Sequence, residues 1–178
     1  MILFGAVTET KTGTAEEVAR SYFQALVDRD AKRMAEHWDP QGVEDIGPFG
    51  IFRGPDEVRA FFDEMFAAIP DAESVVERVI ADEHAAAVQW RMRGTFKGAP
   101  FQGIDPVGKH VEMRGCDVVE VENGKIVRNT AFSDGLSFAR QIGMVPAQGS
   151  GAEKAMYGAF NGFTKIRQAV EDKLGGSR

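Results

Sequence analysis

The sequence is short of most features that would take it out of the ordinary globular classes. It has one cysteine in 178 residues, Cys116, so no internal disulfide can form and nothing points to an oxidising compartment. No apolar run approaches the length of a membrane span, and no membrane partner is expected. Lysine and arginine total 21 against 27 aspartates and glutamates, for a formal charge of -6, and no basic cluster stands out. Binding to a phosphate backbone needs such a cluster, so no nucleic acid is expected. The histidines, His37, His84 and His110, lack ligand spacing, which predicts no metal site. No glycine loop is built to cradle phosphates, so no cofactor is expected. Residues 1–7 are apolar, but they carry no basic region and run at once into a polar stretch. That argues against a signal peptide and for a cytoplasmic location.

What remains is a globular composition, 43% apolar and 27% charged, at a length that suits one domain with a sizeable core. Residues 1–13 read as an arm, 14–146 as the domain, and 147–178 as a linker and a C-terminal helical extension. Thr14-Ala15-Glu16-Glu17 fits a capping box, and Val18, Tyr22 and Leu26 follow at helical spacing. A short second helix is expected over 31–38, ended by Asp39-Pro40. Residues 42–54 read as extended with turns. Pro55 opens a third helix whose stripe is Val58, Phe61, Phe62, Met65 and Phe66. Four extended segments follow, over 75–81, 85–97, 109–121 and 125–132, with Asn123-Gly124 as a hairpin turn. A helix over 136–142 closes at Gly143, and 152–174 has a helical pattern that would dock on the domain or on a second subunit. Helices followed by antiparallel strands predict an α+β fold, with helices on one face of a strongly bent sheet.

One residue breaks the pattern. On the strand over 109–121 the odd positions Val111, Met113, Gly115, Val119 and Val121 form an apolar face, and Asp117 falls among them. A carboxylate there costs free energy unless it is hydrogen-bonded, paired or protonated. It is either a functional acid, a structural Asp held by a neighbouring donor, or a residue turned outward by a local bulge. Asp45 sits where a strand enters a turn before Gly47-Pro48, and it reads either as a site residue or as a turn former. Tyr22 shares the buried stripe of the first helix, and its hydroxyl needs a partner whether it is core or site.

Together these segments resemble a known family. Residues 21–30, SYFQALVDRD, resemble the first helix and turn of NTF2-like (cystatin-like) proteins, including ketosteroid isomerase. Val43-Glu44-Asp45 resembles the segment that carries that enzyme's base. Gly115 through Val121, followed by Asn123-Gly124-Lys125-Ile126-Val127, resembles the strand and hairpin that carry its protonated acid. Arg93-Gly94-Thr95-Phe96-Lys97-Gly98, residues 103–109 and Gln141-Ile142-Gly143-Met144-Val145-Pro146 are similar to the SnoaL-like polyketide cyclase branch. Phe96 stands where many of those members carry histidine.

The resemblance implies an NTF2-like cone around an apolar pocket, with Tyr22, Asp45 and Asp117 as catalytic residues. It implies an isomerase or aldol cyclase acting through an enolate on an apolar cyclic ketone such as a steroid or polyketide. Asp45 would take a proton next to the carbonyl, and Tyr22 and a neutral Asp117 would hold the enolate. Phe61, Val88, Trp90, Met92 and Met113 would form the substrate wall. The same fold also hosts proteins that only bind a hydrophobic small molecule, and epoxide hydrolases of the limonene type. The latter want an Asp-Arg-Asp relay, whereas Arg91 and Arg93 fall on the face opposite Trp90 and Met92. The resemblance further implies a homodimer through the outer face of the sheet, where Gln89, Arg91 and Arg93 lie.

Overall fold

Thr14 opens the first helix as its sequence requires. The Glu17 amide donates to Thr14 Oγ1 at 3.3 Å, and the Glu17 carboxylate accepts from the Thr14 amide at 2.9 Å. The computed structural model describes residues 14–175, so the arm expected over 1–13 lies outside the described residues. Helix α1 spans Ala15–Val27 and buries Val18, Tyr22, Phe23 and Leu26. Helix α2, Ala31–Ala35, is shorter than expected. The His37 amide closes it on the Met34 carbonyl, and Trp38 already belongs to the next strand. The restriction that Pro40 places on Asp39 therefore shapes a strand rather than ending a helix.

Strand β1 spans Trp38–Asp45. A 3-10 turn, Gly47–Phe49, leads to the short β2, Ile51–Arg53. Helix α3, Gly54–Ala68, has a proline in its first turn, and the Glu57 carboxylate accepts from the Arg53 amide at 2.7 Å. Its stripe Val58, Phe61, Phe62, Met65 and Phe66 is buried. Then come β3, Glu73–Ala81, β4, Ala85–Phe96, β5, Lys109–Glu122, and β6, Lys125–Ser133. Asn123 and Gly124 join β5 to β6 with φ of 50° and 73°, the positive values a tight hairpin needs.

The six strands form one curved sheet in the order β2-β1-β6-β5-β4-β3. Neighbours are antiparallel except β1 and β6, which run parallel. Helices α1 and α3 pack on the sheet, and the face beneath them alternates into the core. This is the expected α+β architecture.

The chain divides into two units, one ending at Gly135 and one starting at Leu136. Helix α4, Gly135–Ile142, starts at this boundary and closes at Gly143 with φ 86°. Helix α5, Gly151–Gly175, is held at its first turn through Glu153. That carboxylate accepts from Arg140 at 2.5 Å, from the Gly149 amide at 2.6 Å and from the Tyr157 hydroxyl at 3.0 Å. Among the described residues, no helix is long and apolar enough to cross a membrane.

Candidate active site

The alternation along β5 holds. Val111, Met113, Asp117, Val119 and Val121 are buried, and Asp117 is only 6% exposed. Its partners are neither backbone nor arginine. Oδ1 accepts from the indole N–H of Trp90 at 2.6 Å, and Oδ2 accepts from the amide of Asn129 at 2.8 Å. Strand register explains both. Trp90 on β4 lies opposite Gly115, and a Cβ at Gly115 would sit 2.3 Å from the Trp90 ring. The missing side chain lets the indole lie across β5 and reach Asp117. Asn129 on β6 lies opposite Val119, one diagonal step from Asp117 on the same face.

The second acid of the cluster is Glu44, not Asp45. On β1 the residues Trp38, Gly42 and Glu44 point inward, and Glu44 is 1% exposed. Asp45, expected to look inward, is half-buried on the other face and accepts from the Gly47 amide at 3.3 Å, as a turn former does. The parallel register sets Glu44 beside Asn129. Glu44 Oε1 accepts from the Asn129 amide at 2.9 Å, and Oε2 accepts from the Tyr22 hydroxyl at 3.1 Å. Tyr22 thus finds the partner its burial demands, from the middle of α1.

The result is a line of five side chains from five elements: Tyr22, Glu44, Asn129, Asp117 and Trp90. Asn129 is its centre, one NH2 group donating to two carboxyls. Its Oδ1 has no hydrogen-bond partner among the described residues, so the amide's orientation follows from the two acids it serves.

Burial pushes the Asp117 carboxyl up to about 6, offset in part by the bonds from Asn129 and Trp90. Burial, and then the nearby Asp117, pushes Glu44 well above the usual carboxylate range; Asn129 and Tyr22 pull against this. The Tyr22 hydroxyl is raised by burial first, then by Glu44 and Asp117, and stays protonated. Two acids this close in a dry setting do not both ionise at neutral pH. The pair therefore carries at most one negative charge at neutral pH, and Glu44, buried deeper and raised by Asp117, is the more strongly raised of the two.

Of the other expected residues, Val88 lies directly opposite Asp117, and Met92 opposite Met113, all on inward faces. Phe61 is buried within a group of rings, with centroids 4.6 Å from Phe52, 5.6 Å from Phe101 and 6.0 Å from Phe49. Arg91 and Arg93 face outward and pair with Glu77 and Glu73, so no Asp-Arg-Asp relay forms here. Among the described residues, no group of three or more His, Cys, Asp or Glu could hold a metal ion.

Residues 19–129 match the SnoaL-like domain, and the chain belongs to that family. No curated protein sequence matches the chain. Several solved structures share its fold. A protein assigned as a SnoaL-like polyketide cyclase from Jannaschia sp. is 21% identical, with 78% of this chain and 99% of that one covered at a TM-score of 0.65. A protein of ketosteroid isomerase-like fold from Catenulispora acidiphila is 13% identical, with 73% and 95% covered at 0.61. A protein from Streptomyces galilaeus, AclR, assigned as a hydroxylase, is 18% identical, with 90% and 96% covered at 0.65. The expected fold and family are thus borne out.

Proposed function

We propose that this protein is a cofactor-independent acid–base catalyst that moves a proton next to a carbonyl of an apolar cyclic ketone, through an enolate. The observation that carries the reading is the buried pair of acids bridged by one amide, with Asp117 raised to about 6. A base works best when its pKa lies near the working pH. Asp117 as carboxylate takes the proton from carbon. Its new O–H, together with the Trp90 N–H it releases, then faces the enolate oxygen. Glu44, kept neutral and bonded to Tyr22, holds the site to a single negative charge. Return of the proton to another carbon completes an isomerisation. Attack of the enolate on a second carbonyl, with the proton passing to the new alkoxide, completes an aldol closure. Solved relatives assigned as polyketide cyclases support the second outcome.

The test is deuterium uptake next to the carbonyl in D2O, followed by NMR over a panel of bicyclic enones and 1,3-diketones. Asp117→Asn is expected to slow uptake by about 10²–10⁴-fold. Equal rates for the variant and the parent protein on a turned-over ketone end the reading. A panel on which neither exchanges, but to which the parent binds tightly, favours a hydrophobic binding protein instead.

A further inference from the structure

Helix α5 carries a second feature that the acid cluster does not use. Beyond its first turn nearly every described residue is exposed, including Phe160 at 67%, Phe163 at 65% and Ile166 at 66%. At 100° per residue, Met156, Phe160, Phe163, Ile166 and Val170 fall within an arc of about 120°, which Arg167, paired with Glu171 at 3.5 Å, also enters. Lys154, Asn161, Lys165, Gln168 and Asp172 lie on the opposite side. The helix contains Gly158 and Gly162, each costing about 1 kcal/mol relative to alanine. A Cβ at either would meet nothing within 4 Å. Packing of an amphipathic face supplies most of a helix's stability in a protein, so covering this stripe would stabilise α5.

We infer that α5 pairs with the α5 of a second copy of this chain, antiparallel and about a two-fold axis at Phe163. The stripe is self-complementary about that residue: Met156 falls opposite Val170, Phe160 opposite Ile166, and Phe163 opposite itself. Isologous interfaces require this symmetry. Antiparallel pairing also sets each helix N-terminus against a C-terminus, which their dipoles favour. With side-chain areas of about 150–250 Å² for each aromatic, and less for the aliphatic residues, the exposed part of the stripe sums to roughly 500–600 Å². A standard interface takes about 800 Å² from each partner. A lipid surface fits less well, because the polar face mixes Lys154 and Lys165 with Asp172 and the chain is acidic overall.

Two measurements on the full chain decide it. Light scattering after size exclusion is expected to show that Phe160→Lys/Phe163→Lys halves the mass of the wild-type assembly, with the thermal transition of the rest of the chain kept. Phe163→Cys in a Cys116→Ser background is expected to cross-link readily on oxidation. Lys154→Cys, displaced from its mate by about 27 Å along the axis, should not. The inference is overturned by an unchanged mass in the double variant, which would locate association elsewhere, such as the sheet. It is equally overturned by a monomeric wild type, by capture of the wild type on neutral phospholipid vesicles, or by equal cross-linking at 154 and 163.

Discussion

At the scale of single residues, the site turns on a difference of one position in β1. Glu44 meets Tyr22 and Asn129, whereas Asp45 caps a turn. Glu44→Gln replaces a neutral acid by a neutral amide of the same shape. Its stability is expected to stay within about 1 kcal/mol of the parent and its deuterium uptake to be largely kept, whereas Glu44→Ala, which strips Tyr22 and Asn129 of their partner, is expected to slow uptake at least tenfold. Asp45→Asn is expected to lose far less activity, and Asp45→Ala about 0.5–1 kcal/mol of stability from the turn. The reverse ranking in activity would return the role to Asp45. The phase of β1 was open to reading: Trp38, Gly42, Glu44 and Ile46 all lie at even positions. Taking α2 through Trp38 hid the anchor of that phase, and a bulge between Trp38 and Val43 blurs the alternation further. Tyr22 and Asp117 were legible because a helical stripe and an unbroken strand each fix a side chain's direction.

At the scale of elements, Asn129 was hidden for a related reason. Ile126 and Asn129 both point inward although one is even and one odd, because the β5–β6 register shifts between Glu120 and Val121. A strand's alternation predicts faces only between bulges. The crossing of Trp90 over Gly115 is likewise a packing fact, invisible in either strand alone. It makes Gly115→Ala informative. The new Cβ would overlap the indole and a carbonyl of β6, so a loss of about 1–3 kcal/mol is expected. Tryptophan emission should shift as Trp90 leaves Asp117. An unperturbed emission spectrum would mean that the indole has room the packing denies it.

At the scale of the whole molecule, the proposed role of Asp117 predicts that activity and stability respond to pH in opposite senses. Below its ordinary value of 3.8 the group is protonated folded or unfolded, and it contributes no difference. Between there and about 6 the unfolded chain ionises first, so stability falls as pH rises. At 1.36 kcal/mol per unit, the loss by pH 7 is about 3 kcal/mol. Asp28, Asp71, Asp82 and Glu153, all held below their ordinary values, act the other way. The quantity to measure is therefore the gap between Asp117→Asn and the parent in urea unfolding. The variant should gain on the parent from pH 4 to 7. Over the same window, proton transfer by the parent should rise towards a plateau above pH 6. A gap that does not change with pH would mean that Asp117 titrates normally.

The parallel pairing of β1 with β6 has a consequence in time. Glu44 and Asn129 are 85 residues apart in the chain, and parallel strands cannot be joined by a tight turn. The antiparallel run from β3 to β6 can zip from its hairpins, but the seam with β1 must wait for a long loop to close. Until it does, Asp117 has no second acid beside it, and Tyr22 has no carboxyl to hold. Under the proposed function, the chemistry would report the closing of this seam. In stopped-flow refolding, recovery of deuterium uptake is expected to lag behind the return of sheet signal.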